Sequence, residues 1–522
     1  MFSRLLIITG SDKMFGLPWT PYYTQSRFPY GGGDPLDVQH EETLLSTYVI
    51  AATVIFSMTV FTFENMLDRR QAKAYLKTDF PSELETTVAK IDAEKKGTKN
   101  DEKVVEDKTE EKTEEKKEES AADKKNKVDK LKPLLPQLRE KFEKSQLYGT
   151  DKLKFSMFSS TFDTFMTMLS LLCGDAVYGW DISRSIVEHY GGSEKDDEIK
   201  ITLVLLGLLS IWSALLSLPF EWYSTFRIEK KHGFNKQTSK LFFTDKLKSF
   251  LLSNIIGLPV AALVLMIIKW GGDYFYIYIW AFMFLFSVLM MTIVPVFIMP
   301  LFNKYEALKD GDLKTRIFAL ADTLKYPLTN LFVMDGSKRS SHSNAFMFGF
   351  GKNKRIVLFD TLMDQVEDEE IIAILGHELG HWALGHTWSN FLITQIYTGV
   401  AFYCFSLFYH ANDMYQAFGF DDPSRPVPTI IALLLFFQIL WAPVDKALSF
   451  VMTLFSRHNE FAADKFSSDL GNSKKLQTGL CKISLENLGA MCPDPLYATY
   501  HYSHPPLVER LSAMMELDKK KE

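Results

Sequence analysis

Seven stretches of about 20 mostly apolar residues punctuate this chain, and they constrain its fold more than any other feature. They run roughly over 44–63, 155–174, 201–220, 250–268, 274–298, 388–409 and 428–451. At about 1.5 Å per residue, a helix of that length matches the hydrocarbon thickness of a bilayer. Lipid offers no partner for a backbone N–H or C=O, so such segments must be helices that satisfy their own hydrogen bonds. The stretch "ITLVLLGLLSIWSALLSLPF" (201–220) and the one at 274–298 are too long and too uniformly apolar for helices of a soluble core. The second stretch is the least apolar and carries Asp163. The last holds Pro443, Asp445 and Lys446, which suits a helix facing protein or water.

Polarity is segregated along the rest of the chain. Residues 94–131 are almost wholly Lys, Glu and Asp, a composition that cannot bury enough apolar surface to repay its ordering entropy. This segment is expected to be a disordered charged insertion. The formal net charge of −6, with no basic stripe interleaved with aromatics, excludes nucleic acid as a partner. Cys173, Cys404, Cys481 and Cys492 are scattered without a CxxC or a framework spacing, which excludes a disulfide scaffold and a cysteine zinc site.

Loop charges set the orientation. Arg69, Arg70, Lys73 and Lys77 follow the first stretch, and seven Lys/Arg between Arg227 and Lys248 follow the third. The alternate loops, 175–199 and 410–427, are poorer in basic residues. By the positive-inside rule the N-terminus is lumenal and the C-terminus cytosolic, and the polar region 303–387 is cytosolic too. "MFSRLLIITG" has too short an apolar core for a cleavable signal. Lys519 and Lys520 near the end stand at the positions of a dilysine retrieval signal. The division expected is 1–302 for five membrane helices with loops, 303–387 for a cytosolic catalytic region, 388–456 for two further membrane helices, and 457–522 for a C-terminal cytosolic region.

The chemistry sits in "HELGH". His377 and His381 are four apart, hence on one face of a helix, with Glu378 beside the first. This HExxH pattern offers two imidazole ligands to zinc and a carboxylate to take a proton from water. The preceding "EDEEIIAIL" leads with acids, as a helix start favours. Gly376 and Gly380 are expected to thin that helix where a metal and another backbone approach. A third ligand is Glu460 in "SRHNEFAADKF", with Asp464 one helical turn on to hold the free nitrogen of a ligand histidine. This is the gluzincin arrangement of His2Glu plus one open position. The metzincin alternative requires a histidine six residues past the second ligand. Position 387 is Thr, so His386 falls one short and reads as a helix-end or supporting residue. His458 is a rival ligand that the spacing disfavours.

Two more stretches suit a peptide substrate. "HSNAF" (342–346) reads as an exposed strand edge able to pair with a peptide backbone, followed by the strand-like "RIVLF". "YSHPPLVERL" offers His504 as a donor to a tetrahedral oxyanion, and Arg510.

Together these motifs resemble the type I CAAX prenyl proteases, integral-membrane zinc endopeptidases. The resemblance rests on "RIEKKHGFNKQT" (227–238), "PLFNKYEAL" (300–308), "DGSKRSSHSNAFMFGFGKNKRIVLFDTL" (335–362), "GHELGHW" (376–382), "NEFAAD" (459–464) and "YSHPPLVERL" (502–511). It covers nearly the whole chain except 94–131. It implies a mainly α, polytopic membrane protein. Seven transmembrane helices would form a barrel around an intramembrane chamber, capped by a cytosolic gluzincin-like metalloprotease domain. It implies one zinc ion held by His377, His381 and Glu460, with Glu378 as base and Asp464 supporting the ligands. Asn344 and Ala345 would hold the peptide, and His504 and Arg510 would stand on the opposite wall. The implied substrates are farnesyl- or geranylgeranyl-bearing CAAX proteins, cut to release the last three residues, with a second upstream cut in some members. The implied location is the endoplasmic reticulum or inner nuclear membrane. A membrane quality-control metalloprotease, indifferent to prenylation, is the rival reading.

Overall fold

The computed structural model describes residues 39–106, 132–349, 351–411, 415–420 and 427–521. Long helices dominate: α1 (Gln39–Tyr75), α2 (Ser82–Glu106), α3 (Leu134–Cys173), α4 (Asp175–His189), α5 (Glu198–Tyr223), α6 (Ser239–Trp270) and α7 (Phe275–Ile293). A mixed α/β region follows, with β1 (Tyr305–Ala307), α8 (Asp312–Thr323), β2 (Leu328–Met334), β3 (Ala345–Phe348), β4 (Lys354–Phe359) and α9 (Asp368–Ala383). The chain then returns to helices: α10 (His386–Phe408), a short helix Thr429–Leu435, α11 (Ala442–Ser467), α12 (Ser473–Glu486) and α13 (Leu507–Lys519).

Among the described residues, five helices are long and apolar enough to cross a membrane: those at Tyr48–Tyr75, Glu198–Glu229, Ser239–Trp270, Gly272–Leu301 and His386–Phe408. A sixth crossing is a broken one, Thr429–Leu440 and the helix from Ala442, bent by 55°. Trp441 sits at that break, two residues before Pro443, whose missing N–H interrupts a helix. The second apolar stretch forms the end of the 40-residue α3 and is not among these six, in keeping with Asp163 and its hydroxyls. The charged insertion is helical at its start, since α2 continues to Glu106. Residues 107–131 lie outside the described residues.

Two large cores hold the described residues, with a small third cluster at Tyr148, Ile228 and Phe234. One gathers Leu84, Leu138, Ile317, Ile356, Leu375, Leu476 and Leu511, so the segments after the first, third-from-last and last membrane helices share one end with the sheet. The segments that sequence charge places on one side of the membrane therefore do lie at one end. The other core joins Trp180, Ile201, Leu265, Ile279, Phe405 and Phe436 at the far ends of the membrane helices. Between these ends the long helices bury almost nothing. In α5 the buried residues are Ile201, Thr202 and Leu205; in α7 they are Phe275 and Ile279. In α6 nothing is buried between Phe242 and Val264. These helices therefore pack on their neighbours mainly near their two ends and present apolar side chains between them.

The sheet has the order β1-β2-β4-β3, with β2 and β4 parallel and both outer pairings antiparallel. β3 is thus an edge strand. Strand-like "RIVLF" is β4, buried at Ile356, Val357 and Leu358. "HSNAF" is strand only from Ala345; His342–Asn344 lead into it.

Candidate metal centre

Helix α9 carries the HExxH pair, and its register is fixed at both ends of its first turn. Glu367 caps the helix and Glu370 returns a hydrogen bond to the Glu367 N–H at 2.8 Å, a reciprocal box built from two glutamates. Glu370 is buried. Lys482 from α12, also buried, bonds it at 2.8 Å and Glu367 at 3.1 Å. Sequence reading passed over Lys482. The signal was available: a lysine on an otherwise apolar helical face needs an acid inside.

Helix α11 lies against α9. A Cβ on Gly376 would stand 3.0 Å from Ser467 Oγ, and one on Gly380 3.0 Å from Phe466. Both glycines admit the α11 helix, and neither faces the candidate ligands. The expectation that they also make room for a metal is corrected accordingly. Ser467 Oγ closes the contact by donating to the Ala373 carbonyl at 2.8 Å.

This packing brings His377, His381 and Glu460 together, one ligand atom of each within 4.8 Å of the others. The two Nε2 atoms face each other at 3.2 Å. Glu460 Oε2 is 3.5 Å from His377 Nε2, and Oε1 is 3.3 Å from His381 Nε2. His377 is buried at 5% exposure and Glu460 at 3%. Glu460 Oε2 lacks a well-directed hydrogen bond although it is buried. Two imidazole nitrogens turned toward each other and an unsatisfied buried carboxylate oxygen are costly as they stand. They are the donor set that a tetrahedral N2O metal site requires, so the residues fit a divalent ion. His458 is not in this cluster; Glu460 is.

Behind the ligands, Asp464 Oδ1 is 2.9 Å from His377 Nδ1, which fixes that imidazole's orientation. Arg510 forks onto Asp464, Nε to Oδ2 at 2.8 Å and Nη2 to Oδ1 at 2.6 Å. It also approaches Glu460 Oε2 at 3.3 Å. Arg510, expected near the metal as a substrate-binding residue, does lie beside the cluster, buried with its guanidinium engaged by Asp464 and Glu460. His504 does stand on the open side: its Nδ1 lies 2.9 Å from Glu460 Oε2 and its side chain is 67% exposed. His386, the first residue of α10, approaches His381 Nδ1 at 2.9 Å, the supporting position expected.

The electrostatics follow the burial. Burial pushes the His377 imidazole down, but its hydrogen bonds to Asp464 and Glu460 outweigh this and raise it to about 9. Burial lifts the Glu378 carboxyl above its ordinary range, against the pull of His377 and His381. A raised carboxyl beside the ligands takes up a proton more readily than a free glutamate does, as a base acting on water requires.

Asn344 and Ala345 stand at the start of the edge strand, whose partner is β4 alone. The lead-in is pinned from the end of the Glu198–Glu229 helix, the loop after it and the end of α12. His342 stacks on Phe234 at 4.2 Å, bonds Asn487 at 3.0 Å, and faces Glu229 at 3.4 Å. No sequence pattern pointed to that network, because its members are more than 100 residues apart.

Comparison with known proteins agrees with this geometry. Residues 122–304 match a family described as CAAX prenyl protease N-terminal, five membrane helices, and residues 307–518 match peptidase family M48. A CAAX prenyl protease 1 homolog of Arabidopsis thaliana is 47% identical, covering 73% of this chain and 89% of that one. The Homo sapiens homolog is 42% identical over 72% and 86% of the two chains. The Saccharomyces cerevisiae CAAX prenyl protease 1 is 40% identical over 73% and 87%. A crystal structure of S. mikatae Ste24p superposes with a TM-score of 0.74 at 35% identity, covering 90% of this chain and 99% of that one. The chain is a multi-pass membrane metallopeptidase that belongs to the CAAX prenyl protease 1 family.

Proposed function

We propose that this protein is a zinc endopeptidase that removes the last three residues of prenylated CAAX proteins. The observation that carries the reading is the convergence of His377, His381 and Glu460 at the end of the membrane helices that packs against the sheet. A farnesyl chain gains about 0.8 kcal/mol per buried CH2 and needs an apolar surround, whereas hydrolysis needs water and fixed polar groups. The junction of bundle and protease core meets both needs.

His377, His381 and Glu460 would hold the ion, and zinc there supplies Lewis acidity toward the scissile carbonyl and a more acidic water. Glu378 takes the proton of the attacking water and passes it to the leaving amine. His504, on the open side, donates to the oxyanion that develops on the substrate. Asp464, clamped by Arg510, keeps His377 in the orientation that leaves Nε2 free. The edge of β3 at Asn344 and Ala345 pairs with the peptide backbone, which orients the bond without demanding particular side chains. The membrane is that of the endoplasmic reticulum, with the C-terminus and the catalytic end in the cytosol. The basic loops at that end and the terminal lysines support this reading.

The test is a peptidase assay on a farnesylated CAAX peptide and its unmodified twin, each with and without a zinc chelator. Cleavage confined to the prenylated peptide and lost on chelation is expected. Equal cleavage of the twins would support the quality-control reading instead, and chelator-resistant cleavage would remove the metal from the account.

A further inference from the structure

Lys446 is the only lysine or arginine between the ends of the seven apolar stretches. A cation at membrane depth is expensive and persists where it has a partner and a task. Its Nζ donates to Glu64 Oε1 of the first membrane helix at 2.6 Å, and the Tyr500 hydroxyl donates to the same oxygen at 3.2 Å. Ser449, Thr453 and His501 complete the polar wall of a cavity of about 190 Å3 around this pair. The Lys446 side chain remains 47% accessible, and an ammonium has three donors, so Glu64 does not exhaust it.

The cavity stands in line with the candidate metal ligands. Lys446, Thr453 and Glu460 follow one another at intervals of seven on α11, which keeps them on one stripe of the helix. At about 1.5 Å per residue, Thr453 is about 10 Å from Glu460 and Lys446 about 21 Å. The Lys446 side chain lines the same cavity as Thr453. His501 precedes by three residues the His504 that touches Glu460. Helix α11 starts beside Trp441 of the far core and ends against α9. The cavity therefore lies on the bundle side of the metal cluster.

A folded substrate protein stays at the protease end, so the residues beyond the cut bond lead into the bundle. Three extended residues span about 10 Å, which brings the free chain end to Thr453, the near lip of the cavity that Lys446 also lines. We infer that the cavity receives the C-terminal carboxylate of the substrate. Lys446 is its counter-ion, and His501 and the Ser449 hydroxyl are its hydrogen-bonding neighbours, the Thr453 hydroxyl being engaged on the Ser449 carbonyl at 3.0 Å. Glu64 is the acid that occupies Lys446 until substrate displaces it. A carboxylate carried into an apolar surround without such a partner is strongly disfavoured. The inference rests on the CAAX peptidase reading and deepens it, because the enzyme then reads a chain end as well as a prenyl group.

The experiment compares kcat/KM for a farnesylated CAAX peptide as free acid and as C-terminal carboxamide on the full-length enzyme. The wild type is expected to favour the acid by about tenfold or more, the size of a charge-assisted hydrogen bond. Lys446→Gln should bring the acid-to-amide ratio near unity. Glu64→Gln, which removes the competing acid, should widen it. Both peptides are read on one protein, so a general loss of folding or metal cancels in the ratio. A wild-type ratio near unity, or a ratio unmoved in both variants, overturns the pocket. A wild type that cuts neither peptide overturns the peptidase reading, and the pocket with it.

Discussion

The protease end and the membrane bundle are both helical, yet they spend their apolar residues differently. At the protease end, Ile317, Ile356, Leu362, Leu375, Leu379 and Leu511 are each at most 1% exposed and interlock around the sheet. In the bundle, residues just as apolar stay accessible: Leu208 at 37%, Leu215 at 60%, Ile255 at 68% and Leu285 at 67%. Water forces the first region to close-pack. Lipid removes that force in the second, since acyl chains solvate leucine as well as another helix does. The membrane helices can therefore leave apolar faces to lipid, whereas catalytic geometry is held where packing is dense.

The largest effect expected from this contrast is chemical. Glu378→Gln changes one group in the dense region without altering its shape, and turnover should fall roughly a thousandfold while metal content and melting temperature hold. If turnover survives, Glu378 is not the base. Glu460→Ala should abolish metal retention, measured by mass spectrometry after dialysis, because two imidazoles on one helix leave the site a ligand short.

Stability tests follow. Lys482→Met strands Glu370, buried at 1%, and should cost about 3–5 kcal/mol by denaturant titration in detergent. Ile356→Ala, at 0% exposure, should cost about 2–5 kcal/mol. Leu208→Ala in the bundle should cost about 0.5 kcal/mol or less. Equal costs for the last two would mean that the bundle is as tightly packed as the protease core.

The smallest effect is in pH. Without metal, the His377 imidazole titrates near 9, above its unfolded value of about 6.5. Its protonated form thus stabilises the metal-free protein fully below about pH 6.5, and this contribution is lost as pH rises through about 9. A metal requires the neutral ring, so affinity should rise with pH over that window and binding should release a proton. Calorimetry in two buffers of different ionisation enthalpy measures the release.

Local patterns made much of this legible. The spacing of His377 and His381, the turn from Glu460 to Asp464, and the apolar stretches each report a helix and one of its faces. Arg510 shows where such reading stops. Its position in "YSHPPLVERL" gave a residue near the metal, but only the fold reveals that Asp464 occupies its guanidinium. The same holds for Gly376 and Gly380, whose role depends on which helix arrives, and for Lys482, whose acid lies more than 100 residues away.

By itself the sequence determined which segments are helical, which must meet lipid, and which side chains are able to hold a metal. These follow from periodicity and composition over a few turns. Only the tertiary structure decided that α11 crosses α9 closely enough for Glu460 to meet His377 and His381, that Arg510 stands behind them, and that Lys446 faces Glu64. Each of those is a distance between remote residues, set by packing of elements that carry no record of one another in their local patterns.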